Sequence, residues 1–211
     1  MKAVVLISLG LILVAGPLSA LALAHDKAQS PKPRTTIADF KPRESFSAVC
    51  TEVEEADLIR IKPDGRDPEE AYLIGSDTPE PGQGSWTDRT RQVTKALILN
   101  KRIKVVLDQQ PRANCGRLRA YVYAPDGTFL NLRLIEQGYA SVLSKGPNLL
   151  HDAEFKKAEQ AAKLQGLGIW AAKDGLAVLP GAYRKQHGNH QGRSDQSGHT
   201  CQTTPSPAPN P

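Results

Sequence analysis

The hydrophobic period of this chain changes at Pro81-Gly82-Gln83-Gly84, and that change constrains the fold more than any other feature. Before it, apolar residues alternate: Phe46, Ala48 and Cys50 share one face of a segment reaching Glu52, and Ile59 and Ile61 share one face of Leu58 to Lys62. A period of two places successive side chains on opposite faces of a strand, so the two segments read as strands pairing around Glu54-Glu55. Pro63-Asp64-Gly65 is a turn signal, and Ala71 to Gly75 makes a third strand. After the change, Trp86, Arg89, Val93 and Leu97 lie three or four apart, which is one face of a helix, with Ser85 placed to cap it and Asn100 to end it. Alternation returns in Arg102 to Leu107 and Arg117 to Ala124, separated by a polar turn from Asp108 to Gly116. Leu130, Leu134 and Ile135 then give a short helix stopped by Gly138, and Phe155, Ala158 and Ala162 a longer one from Asp152 to Gly166 or Gly168.

Strands, a helix, more strands and then two helices predict an α+β chain, mainly β: a five-stranded OB-fold barrel with about three helices packed on it. The folded part spans residues 45–172. Ahead of it, Lys2, the apolar run Ala3 to Ala15 and the small-x-small site Ala22-Leu23-Ala24 read as a signal peptide over residues 1–24, with an uncleaved anchor as the competing reading. Residues 25–44, with Pro31, Pro33 and Pro42, read as a flexible leader, and residues 173–211, rich in Gln, Gly, His and Pro, as a disordered tail. The expectation is an exported protein, periplasmic or extracellular, monomeric and without stable membrane association once the signal is cleaved. Export permits disulfides among Cys50, Cys115 and Cys201, an odd set that leaves one cysteine over. Loss of residues 1–24 removes Lys2 and takes the formal charge from +5 to +4, which suits a polyanionic partner without specifying one.

Chemistry concentrates where the third strand ends. Leu73-Ile74-Gly75-Ser76-Asp77-Thr78-Pro79-Glu80 carries an apolar strand into a stiff turn bearing two carboxylates. If the second and third strands pair antiparallel, Asp57 at the start of one converges on Asp77 after the end of the other. Oxygen donors without His or Cys suit a hard cation, calcium or magnesium, although solvated loop acids explain the same letters. Arg117 follows Gly116, where the backbone admits close approach and a guanidinium can grip a phosphate in bidentate fashion; a plain salt bridge explains it equally well.

The ordered set of Asp57, Leu73 to Glu80, Gly116 to Tyr123, Asn131 with Leu134 and Gln137-Gly138, and Gly168-Ile169-Trp170 resembles the staphylococcal nuclease (thermonuclease) family over roughly residues 45 to 171. The resemblance implies an OB-fold and calcium-dependent hydrolysis of DNA and RNA phosphodiesters, preferentially single-stranded or flexible, leaving a 3′-phosphate. It implies Asp57, Asp77 and the Thr78 carbonyl as ligands of Ca2+, Glu80 as the group that orients or deprotonates water, and Arg117 as the phosphate-binding residue. Four departures stand beside it. Tyr72 occupies the position of the family's other catalytic arginine, five residues before Asp77; Glu55-Ala56-Asp57-Leu58 replaces Asp-Gly-Asp-Thr; Cys115 stands where a tyrosine is expected; and Ser141 to Asn148 lacks the base-stacking aromatics. Lowered activity is the implication of Tyr72, and a non-catalytic OB-fold module that binds nucleic acid or another ligand is the alternative.

Overall fold

The computed structural model describes residues 40–187. The expected signal segment, nearly all of the leader, and the tail from residue 188, including Cys201, lie outside the described residues. The chain forms β1 (Ser45–Glu55), β2 (Leu58–Pro63), β3 (Glu69–Leu73), β4 (Ser76–Asp77), α1 (Ser85–Ile98), β5 (Arg102–Arg112) and β6 (Leu118–Tyr123). These are followed by α2 (Leu130–Glu136), β7 (Ser141–Val142), α3 (Asp152–Leu164), a single 3-10 turn at Gly168–Trp170, and α4 (Pro180–His187).

Five strands close into a barrel in the order β1-β2-β3-β6-β5, with β1 pairing back to β5, while β4 and β7 form a separate two-stranded ladder. The OB-fold barrel expected from alternation is present, and a fourth helix, α4, joins the expected three. Ala48, Cys50, Ile59, Ile61, Val105, Leu107, Leu118 and Ala120 are fully buried and fill the core. Each large aliphatic side chain so enclosed contributes about 1.5–3 kcal/mol relative to exposure. Cys50 carries a free thiol in β1, and Cys115 is held in a disulfide.

Three elements differ from the sequence reading for identifiable reasons. β5 does not stop at Leu107, where the alternation ends, but runs to Arg112. Asp108, expected at the start of a turn, is buried in that strand, where Tyr121 Oη (3.0 Å), the Leu150 amide (3.2 Å) and its neighbour's amide all donate to its carboxylate. In α1 the fully buried positions are Thr90, Thr94 and Ile98, while Val93 and Leu97 of the expected stripe are half-buried against the core. Thr90 donates to the Trp86 carbonyl at 2.9 Å and Thr94 to the Ala56 carbonyl at 3.0 Å, so the hydroxyls enter the interior satisfied. Ser85 is the first residue of α1 and makes no side-chain cap; the cap position belongs to Gly84, whose φ of 66° glycine alone adopts without strain. The segment expected to be disordered from residue 173 contributes α4 at 180–187.

Gly75 sits at the exit of β3 with φ 79°, and a Cβ there would lie 2.4 Å from the Phe155 ring of α3. Gly75→Ala combines left-handed strain with overpacking, so a loss of about 2–5 kcal/mol in unfolding free energy is expected by urea denaturation. A midpoint unchanged from the parent chain would contradict this packing.

Candidate functional site

Asp57 lies in the turn joining β1 to β2. Its carbonyl accepts the Leu73 amide at 2.9 Å, which draws the start of β2 against the end of β3, and Thr94 of α1 holds the preceding Ala56 carbonyl. Asp77 lies in β4, opposite Ser141 of β7. The loop after it is fixed from three sides. The Glu80 amide donates to the Gln83 side chain at 2.8 Å, Thr87 Oγ1 of α1 donates to the Glu80 carbonyl at 2.6 Å, and the Gln83 amide donates to that carbonyl at 3.0 Å. Asp57, Asp77, Thr78 and Glu80 are all buried. Upstream, the buried Asn131 of α2 donates to the carbonyls of Ile74 (2.9 Å) and Ala120 (3.1 Å) and accepts the Val122 amide (2.9 Å), tying β3, β6 and α2 together.

Parallel pairing of β3 with β6, Ala71 opposite Leu118, carries Arg117 to the flank of Glu70 and Tyr72. Arg117 Nε donates to Glu70 Oε2 at 2.5 Å and Nη1 to the Tyr72 hydroxyl at 2.6 Å. Glu70 also receives Arg60 Nη2 at 3.1 Å, and the same nitrogen reaches Glu54 at 2.7 Å. Burial works against the Arg117 charge, but Tyr72 and Glu70 outweigh it and its pKa is raised. Glu54 is pushed up by burial and by the neighbouring Glu70 and Glu52 carboxylates, against the opposing pull of Arg60. Tyr72, 1% exposed, therefore does not leave a hole where the family's arginine would stand; its oxygen accepts a hydrogen bond from Arg117.

The residue that sequence reasoning missed is Arg184 of α4. Its Nη1 donates to Asp77 Oδ1 at 2.6 Å and to Glu80 Oε1 at 2.5 Å, and its Nη2 to Asp77 Oδ2 at 3.1 Å. The side chains of Arg184, Asp77 and Glu80 are 10%, 7% and 2% exposed, so this is a buried charge cluster. Burial opposes the Arg184 charge, yet the two carboxylates outweigh it and raise its pKa. The available signal was Pro180, the residue type favoured at the first position of a helix, followed by an arginine in the last turn.

The expected site residues thus fall into two groups joined by β3 and the turn after it. Arg117 and Tyr72 are hydrogen-bonded to each other, and Asp77 and Glu80 share one guanidinium. Among the described residues no three His, Cys, Asp or Glu side chains form a metal-holding group, and Asp57 does not close into a trio with Asp77 and Glu80. The donor chemistry nevertheless fits a hard cation. Two buried aspartates and the Thr78 carbonyl offer oxygen, and Arg184 demonstrates that the Asp77 side of the site accepts positive charge. Chemically, one group offers two buried carboxylates neutralised by a guanidinium, and the other a guanidinium held by Glu70 and Tyr72.

A family model described as staphylococcal nuclease homologue matches residues 70–172, which include Tyr72, Asp77, Thr78, Glu80 and Arg117. The chain is 31% identical over 129 residues to a thermonuclease of Staphylococcus intermedius, covering 59% of this chain and 76% of that protein. It is 23% identical over 170 residues to a thermonuclease of Staphylococcus hyicus, covering 78% and 98%. Against the SPbeta prophage-derived endonuclease YokF of Bacillus subtilis (strain 168) it is 31% identical over 124 residues, 56% of this chain and 41% of that longer protein.

Proposed function

The chain belongs to the staphylococcal nuclease family, and on that premise we propose that it is an exported, calcium-dependent nuclease hydrolysing DNA and RNA phosphodiester bonds at lowered turnover. The observation that carries this reading is the placement of the buried carboxylates Asp77 and Glu80 after the end of the strand whose Glu70 and Tyr72 hold Arg117. Glu80 accepts a proton from the attacking water, and Arg117 donates to the phosphate oxygens on which charge grows. Oxygen from water joins phosphorus, the bond to the 5′ oxygen breaks, and that oxygen takes up a proton, leaving a 3′-phosphate and a 5′-hydroxyl. Asp57, Asp77 and the Thr78 carbonyl would hold calcium, which when bound neutralises phosphate charge.

Tyr72 supports the lowered rate. It positions Arg117 but adds no second positive charge, and absence of an arginine acting on a phosphoryl transition state costs about 10³- to 10⁵-fold. Single-stranded or flexible nucleic acid and a monomeric protein complete the proposal.

The deciding experiment incubates the purified mature chain with single-stranded DNA in calcium or in chelator, alongside Tyr72→Arg. Calcium-dependent cleavage to 3′-phosphate ends, faster in Tyr72→Arg, is expected. Absence of cleavage at high protein concentration, in both chains and with calcium present, would sink the enzyme and leave a nucleic-acid-binding module.

A further inference from the structure

We propose that Arg184 is an internal counter-cation that competes with the divalent metal ion for Asp77, so that α4 must withdraw before the metal is held. This rests on the metal reading proposed above. Arg184 engages both carboxylate oxygens of Asp77 and one of Glu80, which leaves the ligand proposed for calcium already committed to a positive group. A guanidinium and a divalent cation on the same buried carboxylate repel each other in surroundings that screen poorly. One of them leaves.

The rest of α4 is built to leave. Apart from the Arg184 side chain, only Pro180 of its eight residues is buried. The preceding segment is held mainly by polar contacts: Gln83 Nε2 donates to the Val178 carbonyl at 2.6 Å, Trp86 Nε1 to the Asp174 carbonyl at 2.7 Å, and the Leu176 amide to the Ile169 carbonyl at 2.9 Å. The Tyr183 hydroxyl rests over Gly82, where a Cβ would come within 2.5 Å of it. A segment with so little buried apolar surface opens locally at low cost once its ion pairs are exchanged. Arg184 also lies beyond residues 70–172, the stretch that matches the family model.

When the binding-competent state is only a fraction of the population, apparent affinity falls by that fraction. Removing the guanidinium should therefore tighten calcium binding by about 10- to 100-fold. The test titrates calcium chloride into the full mature chain, Arg184→Ala and Arg184→Gln by calorimetry, with thermal melts to confirm folding; glutamine keeps the side chain's length if alanine unfolds the protein. In parallel, a lysine-specific protease that needs no calcium probes Lys185, which is exposed on α4 and retained in both variants. The expected result is tighter calcium binding in the variants, with cleavage at Lys185 accelerated by calcium in the parent chain and already fast without it in the variants. Equal calcium affinity in all three chains would overturn the competition while leaving the metal reading intact. Lowered turnover at saturating calcium with unchanged affinity would assign Arg184 to the substrate and overturn it as well. Absence of calcium binding in every folded chain would remove the metal reading, and the competition with it.

Discussion

Arg117→Ala is expected to slow phosphodiester cleavage by about 10³- to 10⁵-fold, the range for arginines that act on a phosphoryl transition state. The magnitude belongs to the upper part of that range because Tyr72 leaves Arg117 without a second catalytic arginine of the family pattern to share the charge. Its pre-organisation is visible. Glu70 fixes Nε and Tyr72 fixes Nη1, so the fork is held before substrate arrives. Arg117→Lys should recover little, since an ammonium cannot reproduce the two-point fork on Glu70, Tyr72 and phosphate together. The measurement is turnover at saturating calcium and substrate, with DNA binding recorded separately. A loss confined to KM, with kcat intact, would show that Arg117 binds ground state and transition state alike.

Glu80→Gln is expected to cost about 10²- to 10⁴-fold in turnover, the usual contribution of a positioned general base. The substitution preserves shape and leaves an acceptor for Arg184 while removing the proton acceptor. The backbone is not disturbed, because the Glu80 amide and carbonyl are held by Gln83 and Thr87 rather than by its own side chain. Calcium affinity should change far less than turnover, since the ligands proposed for the metal are Asp57, Asp77 and Thr78. Undiminished turnover in a folded Glu80→Gln chain would assign the proton acceptor elsewhere.

The barrel was legible because its strands obey a period of two and are separated by Gly, Pro and Asp turns. What escaped was polar burial. Asp108 reads as a turn residue, and Thr90 and Thr94 fall outside the expected apolar stripe, yet each is buried with hydrogen bonds that include a partner on another element. The acidic half of the site was legible for a local reason, a strand running into Asp77-Thr78-Pro79-Glu80. Arg117 was legible from the glycine before it, whereas the pairing of Arg117 with Tyr72 depends on the parallel register of β3 and β6, which no local pattern encodes. Arg184 lies more than 100 residues from the carboxylates it joins, in a stretch whose composition hides a short helix.

Asn131 has a mechanical consequence for the mouth of the site. By gripping the Ile74 carbonyl it anchors the chain at the residue before Gly75, so the acidic loop has no lever arm upstream. Gly75 follows with φ 79°, and the Phe155 ring lies against the side on which a side chain would stand. On the competition proposed above, opening falls to the opposite wall, α4, which Arg184 ties to Asp77 and Glu80 and whose Tyr183 hydroxyl rests over Gly82.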